Sequence, residues 1–403
     1  MENCTEIFDV IVVGAGVMGS STAYQTAKRG KKTLLLEQFD FLHHRGSSHG
    51  ESRTIRATYT KDFYPKMVLE SAKLWEEAEE EAGYKVYFKT SQIDLGSSYD
   101  KSLQAIISSC QKNRVPVQVL NHNQVSEEFS GKFQLTEDWI GVVIEHGGVI
   151  RPTMAVSMFQ MLAMKNGASL RDNMEVVDIK KDPSKDAILV STRNGQMFWA
   201  KKCVVTVGAW MKKLVKEVAG LTLPIQPQEI TVYYWKIEQG HEAEFTIESG
   251  FPTFSSYGEA HIFGTPSLEF PGLLKILVDG GHPCDPDKRT WSASPDTLSA
   301  TKEWIQSKFG GLVDSSEPVL TQSCMYSMTP DKDYVIDYLD GEFGKDVVVA
   351  GGFSGHGFKM APIIGRILAD LAIDMQAKDV DMKHFNIKRF EGNSEGNHED
   401  FDD

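Results

Sequence analysis

The sequence predicts an α/β fold of the doubly wound kind, with a parallel sheet assembled from distant parts of the chain. Two observations carry that expectation. The N-terminal stretch reads strand, glycine turn, helix, strand in unbroken order. Two later apolar runs, "KKCVVTVGAW" from Lys201 to Trp210 and "DVVVAGG" from Asp346, look like returns to the same sheet.

Phe8 to Val13, "FDVIVV", is a short run rich in β-branched residues, as expected of a buried parallel strand. It leads into "GAGVMG", the G-x-G-x-x-G pattern at Gly14, Gly16 and Gly19. The three glycines serve a tight turn, close backbone approach to a pyrophosphate, and close helix–strand packing. The helix that follows turns Ala23 and Ala27 to the sheet and ends near Gly30. Its N-terminus offers free N–H groups and a positive dipole end to phosphates. The next strand, "KTLLLE", ends at Glu37, where a carboxylate can hold ribose hydroxyls. An acid there favours NAD or FAD over NADP, whose extra phosphate prefers arginine.

Further on, "LWEEAEEEAG" follows apolar residues at helical spacing and reads as the solvated face of a helix. The run from Asp346 continues through a glycine-rich loop into an amphipathic helix. Pro362 suits its first turn, and Ile363, Ile364, Ile367, Leu368 and Leu371 have core spacing. A nucleotide domain built from such scattered pieces suits a flavoprotein better than a simple NAD module. The loop at Gly355 and Gly357 reads either as a routine βα turn or as a helix N-terminus that stabilises an anionic reduced flavin.

The bulk properties exclude several classes. The chain has 403 residues, enough for two or three domains and a sizeable core. An apolar content of 41% and a charged content of 24% are those of a soluble globular protein. The balance of 42 basic and 56 acidic residues, a net charge of −14, argues against nucleic acid or an anionic membrane as partner. Part of that excess lies in residues 391–403, "EGNSEGNHEDFDD", read as an acidic disordered tail. Cys4, Cys110, Cys203, Cys284 and Cys324 are scattered, with no C-x-x-C pair, which points to a reducing intracellular setting without structural zinc. Neither a signal peptide nor a bilayer-length apolar run is visible. His43, His44 and His49 have no further ligands among the intervening residues, so no metal is expected.

Four blocks, "DVIVVGAGVMGSSTAYQTAKRGKKTLLLE", "GSSHGESRTIRATY", "SCMYSMTPDKDYVID" and "GGFSGHGFKMAP", resemble the monomeric sarcosine oxidase and pipecolate oxidase family of amine-oxidising flavoproteins. They occur in the family's order across nearly the whole chain. The resemblance implies a Rossmann-type FAD domain interleaved with an α+β substrate domain on a mixed sheet. Residues 1–90, 146–222 and 320–390 would form the FAD-binding domain, and 91–145 and 223–319 the substrate domain. FAD would lie against Gly14, Gly16, Gly19, Glu37, Gly355, His356 and Gly357.

The same resemblance places His49, Arg53, Arg56 and Tyr59 around flavin and substrate. Arg53 and Arg56 stand one helical turn apart and would share a pocket if the stretch is helical; surface ion pairs are the other reading. The planar fork of Arg56 suits a substrate carboxylate. Lys359 would be a second cation for that carboxylate, against the plainer reading of an exposed lysine at a helix start. Lys275, in "GLLKILVDGG", matches the family's oxygen-activating lysine near flavin N5, with an edge-strand lysine as the alternative. The chain departs from the family at Phe263, in place of a tyrosine, and at Asp279, in place of a histidine. A pocket hydroxyl and imidazole are therefore expected to be missing, unless His282 takes the histidine's role.

Cys324, in "SCMY", admits three readings. A lone cysteine in an apolar stretch is ordinarily inert core. A nucleophile would want a partner base, and none stands at a recognisable spacing. The resemblance implies the third, a thioether to the 8α-methyl of FAD, with Tyr326 sharing the flavin's surroundings.

The activity implied is oxidation of a secondary α-amino acid of the sarcosine or L-pipecolate type, giving an imine, then an aldehyde, and hydrogen peroxide. The alternatives are a fructosyl-amino-acid or N-methyltryptophan type of oxidase and, prompted by Phe263 and Asp279, a non-catalytic flavin-binding protein. The expected partners are a small amino acid and oxygen, taken up by a monomer. Plant and animal family members imply peroxisomes, although "FDD" is not a peroxisomal tripeptide.

Overall fold

The computed structural model describes residues 6–398, folded around two sheets. In the first sheet, β1 (Ile7–Val13) lies between Met197–Val205 and β2 (Thr33–Leu36). All three run parallel, and Val347–Gly351 continues the parallel array beyond Met197–Val205. Strands covered on both faces need apolar side chains on both, which is why these pieces read as unbroken apolar runs. Val335–Tyr338 closes one edge antiparallel, and Ser169–Arg171 lies parallel at the other.

Helix α1 (Val17–Lys28) buries Ala23 and Ala27. The helix Ala361–Asp374 crosses it, with Pro362 in its first turn and Ile363, Ile364, Ile367, Leu368 and Leu371 all buried. A Cβ at Gly365 would stand 2.3 Å from Ser21 Oγ, so this glycine sets how closely the two helices approach.

The second sheet is mixed. Beyond β3 (Arg53–Arg56), helix α2 (Tyr64–Ala82) leads to β4 (Tyr87–Ser97). The sheet runs from His282–Pro283 through Gln226–Lys236, Leu273–Val278, Ile262–Thr265, Thr253–Ser256, β4 and Trp139–Ile150 to β3. Leu320–Met328 pairs antiparallel with Gln226–Lys236. Beneath it lies an aromatic core of Phe133, Phe245, Phe251, Phe254, Trp304 and Phe309.

Three expectations are corrected. Arg53–Arg56 is a strand, because its backbone pairs with Trp139–Ile150, from Arg53 opposite Ile150 to Arg56 opposite Gly147. Helical spacing therefore does not apply, and it is the strand's place at the sheet that brings Arg53 and Arg56 to the one cavity both line. Residues 53–56 and 320–328, assigned to the FAD-binding domain, are strands of the second sheet, since their backbone partners lie there. The acidic segment is not a free tail over 391–398. Asn397 donates its N–H to Asp331 (2.9 Å) and its amide to Asp333 (3.0 Å) and the His384 carbonyl (2.9 Å). Residues 399–403 lie outside the described residues. Of the acids on α2, Glu76, Glu77 and Glu80 are exposed, but Glu79 is buried and accepts from the N–H groups of Val86 and Tyr87, both at 2.6 Å.

Asn397 joins a buried cluster that ties the C-terminal segment to the fold. Arg389 grips Asp331 with two hydrogen bonds (2.7 and 3.1 Å), while Lys61 and Tyr64 hold Asp333 (3.1 and 2.9 Å). Burial works to raise Asp331, but the hydrogen bonds from Arg389 and Asn397 keep it below the usual carboxylate range. Arg389→Ala would leave that buried charge without its main partner. A destabilisation of about 3–5 kcal/mol is expected, read as a lower urea midpoint; an unchanged midpoint would refute the assignment.

Candidate active site

The first cavity, of about 300 Å³, opens at the carboxyl ends of β1 and β2. Gly14 has φ 96°, and a Cβ there would meet Thr206 O at 2.6 Å; a Cβ at Gly19 would meet Gly14 O at 1.8 Å. Only glycine permits this turn and the close seat of α1 upon it. The helix begins at Gly16, where Ser48 Oγ accepts from the Val17 N–H at 3.0 Å. Glu37 is buried on the wall and accepts from the N–H groups of Ala15 (2.8 Å) and Phe39 (3.0 Å), with His43 Nε2 at 3.3 Å.

His49 lines the same cavity. It is buried, neither ring nitrogen makes a well-formed hydrogen bond in the protein, the Gly46 backbone being only a loose neighbour, and the His44 ring stands edge-on at 5.3 Å. Burial, and then the Arg53 charge, push it down to about 4, so its imidazole is neutral. A glycine turn, a helix start, a buried acid and an orphaned imidazole around one cavity fit an FAD: phosphates at α1, ribose at Glu37, and His49 free to meet a polar group.

A second cavity, of about 200 Å³, meets the first at Arg53, Cys324, Tyr326, Ser354, Gly355 and Phe358, which line both. Arg53 donates to the carbonyls of Ser52 (2.7 Å), His49 (2.8 Å) and Ser47 (3.1 Å), and approaches Cys324 Sγ at 3.4 Å. Cys324 is buried, and its carbonyl accepts from Arg289 (3.2 Å), which also bonds Ser323 (2.7 Å) and pairs with buried Glu229 (3.4 Å). Gly355 has φ 78°, and a Cβ there would lie 2.9 Å from the Tyr326 ring. Gly357 lines the first cavity just before the short turn Phe358–Met360 that starts the following helix.

Three cations of the second cavity have their positions set from behind. Arg56 bonds the Thr58 carbonyl and lies 5.3 Å from the Tyr59 ring centre. Lys359 is buried, not an exposed helix-start lysine, with Nζ 5.6 Å from the same ring centre. Its own carbonyl accepts from Ser71 (2.6 Å) and Trp75 (3.0 Å) on α2. Burial, then the charge of Arg56, push Lys359 down to about 7. Lys275 sits on an interior strand, not an edge, flanked by Gln226–Lys236 and Ile262–Thr265. It donates to the Ser52 carbonyl at 2.9 Å, and burial, then Arg53, push it down to about 7.

His356, expected at the cofactor, lies instead on the second cavity. Its Nε2 faces the Lys332 carbonyl at 2.8 Å and so carries the hydrogen, leaving the one lone pair of Nδ1 to accept from Tyr334 (2.8 Å), with the Tyr59 hydroxyl beside it at 3.1 Å. Burial, then Lys359, push this ring down to about 3, and its bonds are committed within the protein.

The departures from the family also read differently in three dimensions. Phe263 lines the second cavity with its ring 5.9 Å from Lys275 Nζ. His282 lines neither cavity; its half-exposed ring stands 3.7 Å from Glu229. A tyrosine and an imidazole are nevertheless present: Tyr257 and His261 line the cavity, their rings stacked 4.7 Å apart. Asp279 approaches His261 Nδ1 at 3.3 Å. Burial would raise Asp279, but hydrogen bonds from His261 and Tyr326 and the charge of Arg56 hold it below the usual carboxylate range. Spacing could not reveal this pair, because His261 reaches Asp279 only through the register of two strands, Ile262 opposite Val278. The one signal in the sequence was Asp279 itself, a carboxylate in want of a partner.

A model of the FAD dependent oxidoreductase family matches residues 9–371. A probable sarcosine oxidase of Arabidopsis thaliana is 59% identical over 399 residues, covering 98% of this chain and 96% of that protein. The peroxisomal sarcosine oxidase of Homo sapiens is 33% identical, covering 96% and 97%. Among solved structures, L-proline dehydrogenase from P. horikoshii superposes with a TM-score of 0.80 at 22% identity, covering 96% and 98%, and so shares the fold. The chain therefore belongs to the FAD-dependent oxidoreductase family and, within it, to the sarcosine oxidase group.

Proposed function

We propose that this protein is an FAD-dependent oxidase of secondary α-amino acids of the sarcosine and L-pipecolate type. One observation carries the reading: Arg56 and Lys359 share a buried cavity that meets the cofactor cavity at Cys324, Tyr326 and Gly355. Two desolvated cations need an anion, and a substrate carboxylate supplies it, Arg56 through its planar fork and Lys359 as a point charge. Fixing the carboxylate orients the rest of a small amino acid. The same charges disfavour the ammonium form of the amine, which must be neutral to react. When bound, FAD supplies the two-electron acceptor. Lys275, buried beside Arg53, stabilises negative charge developing on oxygen as peroxide forms. The imine product hydrolyses in water.

Cys324 is proposed to hold FAD through a thioether to the 8α-methyl carbon. Its place where the cavities meet, and the Arg53 hydrogen bond to its sulfur, support this role. Forming the S–C bond would release two protons and two electrons, for which oxygen would be the acceptor. The name of the human relative supports a peroxisomal setting, where catalase removes peroxide. Among the described residues no helix is long and apolar enough to cross a membrane.

Sarcosine or L-pipecolate should bleach the flavin anaerobically, and air should restore its colour with one peroxide per substrate; no bleaching across a panel of secondary amino acids would sink the oxidase reading. Acid-precipitated protein should stay yellow while Cys324→Ala releases its flavin, and a colourless wild-type precipitate would refute the link. A bound carboxylate favours charged Lys359 and lifts it from about 7, so binding takes up a proton above that pH. The affinity for a small carboxylate lacking an amine should therefore fall as pH rises above 7, by up to about tenfold per unit. Lys359→Met should flatten the profile, and an unchanged slope would place the titrating group elsewhere, with Lys275 next in line.

A further inference from the structure

A secondary amino acid arrives at neutral pH mostly as an ammonium ion, and its oxidation needs the nitrogen lone pair. Arg56 and Lys359 disfavour that charge; Arg56 cannot take the proton, and the one Lys359 takes up serves the carboxylate. The wall of the same cavity offers an acceptor. His261 stacks on Tyr257 and presents Nδ1 to Asp279 Oδ2 at 3.3 Å. An ionised carboxylate can only accept, so Nδ1 carries a hydrogen, and in the neutral ring the lone pair is then on Nε2. That Nε2 is buried and has no hydrogen-bond partner in the protein, while His261 lines the cavity and its side chain is 27% exposed. A ring present only for packing gains nothing by burying a bare acceptor.

We propose that His261, oriented by Asp279, accepts the proton of the substrate's ammonium group. The N–H bond breaks, its electron pair stays on nitrogen, and the proton moves to Nε2. The imidazolium so formed is stabilised by the Asp279 carboxylate, which also fixes the tautomer. No electrons leave the substrate in this step. The charged and titratable groups around the ring are Asp279 at the end of its strand, Asp94 on β4, Arg56 on β3, and Tyr257; Tyr326 and Lys359 act on Asp279. The inference rests on the oxidase reading above and adds the residue that prepares its substrate.

The test is anaerobic flavin reduction in the holoenzyme by subsaturating sarcosine between pH 6 and 10.5, for wild type, His261→Gln and Asp279→Asn. Without the base, only neutral amine in solution is competent. His261→Gln should then be slower than wild type by about 100-fold at pH 8, two units below an amine pKa near 10, and within about threefold of it at pH 10. Asp279→Asn should fall between them with the same convergence. Taking the ratio to wild type cancels the shared titrations of Lys275 and Lys359. A ratio that stays constant with pH, whether near one or a uniform loss, assigns His261 to packing and overturns the proposal. If His261→Gln loses its flavin, His261→Asn is read in the same way. Absence of bleaching in the wild type at every pH would instead overturn the oxidase reading, and this inference with it.

Discussion

The antiparallel ladder between Leu320–Met328 and Gln226–Lys236 decides where the two cavities meet. It pairs residue by residue from Gln226 opposite Met328 to Tyr234 opposite Leu320. Side chains two apart on a strand share a face, so Cys324 and Tyr326 both look onto the cavities. A slip of one residue would turn both away from the junction between the cavities. Register here is therefore a condition of function, and the Glu229–Arg289–Ser323 network on the neighbouring backbone helps to lock it.

A second constraint is electrostatic. Arg53 and Arg56 on β3 and, from distant segments, Lys275 and Lys359 all line the second cavity, with Arg53 at its junction with the first. Charges of one sign crowded in low dielectric repel and lose hydration, which is why both lysines are pushed down towards neutrality. The fold supports the cost with backbone carbonyls, Ser52 for Lys275 and His356 for Lys359, while Asp279 contributes one opposing charge. Such a site is ready for an anion before one arrives, and that readiness favours a carboxylate at the substrate end and developing negative charge at the oxygen end.

Three histidines near the cavities differ in what holds them. His356 is locked between Tyr59, Tyr334 and the Lys332 carbonyl, and serves as a strut behind Arg56 and Lys359. His49 keeps both nitrogens open on the cofactor side, and His261 keeps one open on the substrate side. Three rings of one residue type thus differ in which nitrogens the surrounding backbone and side chains already occupy.

The sequence by itself determined the nucleotide cradle. Strand, glycines, helix and Glu37 are contiguous, and the steric need for glycine at Gly14 and Gly19 is local, so both could be read directly. The scattered parallel strands were legible too, because burial on both faces writes an unbroken apolar run. The family's motif blocks named Arg53, Arg56, Cys324 and Lys359 without saying how they are held. Tertiary structure alone decided that Arg53–Arg56 is a strand, since a four-residue polar segment takes its conformation from the backbone that pairs with it. It also made Lys275 an interior residue and kept residues 391–398 on the body of the protein. The meeting of His261 with Asp279 was settled the same way. These outcomes depend on cross-strand register and long-range hydrogen bonds, which bring together residues that no local pattern relates.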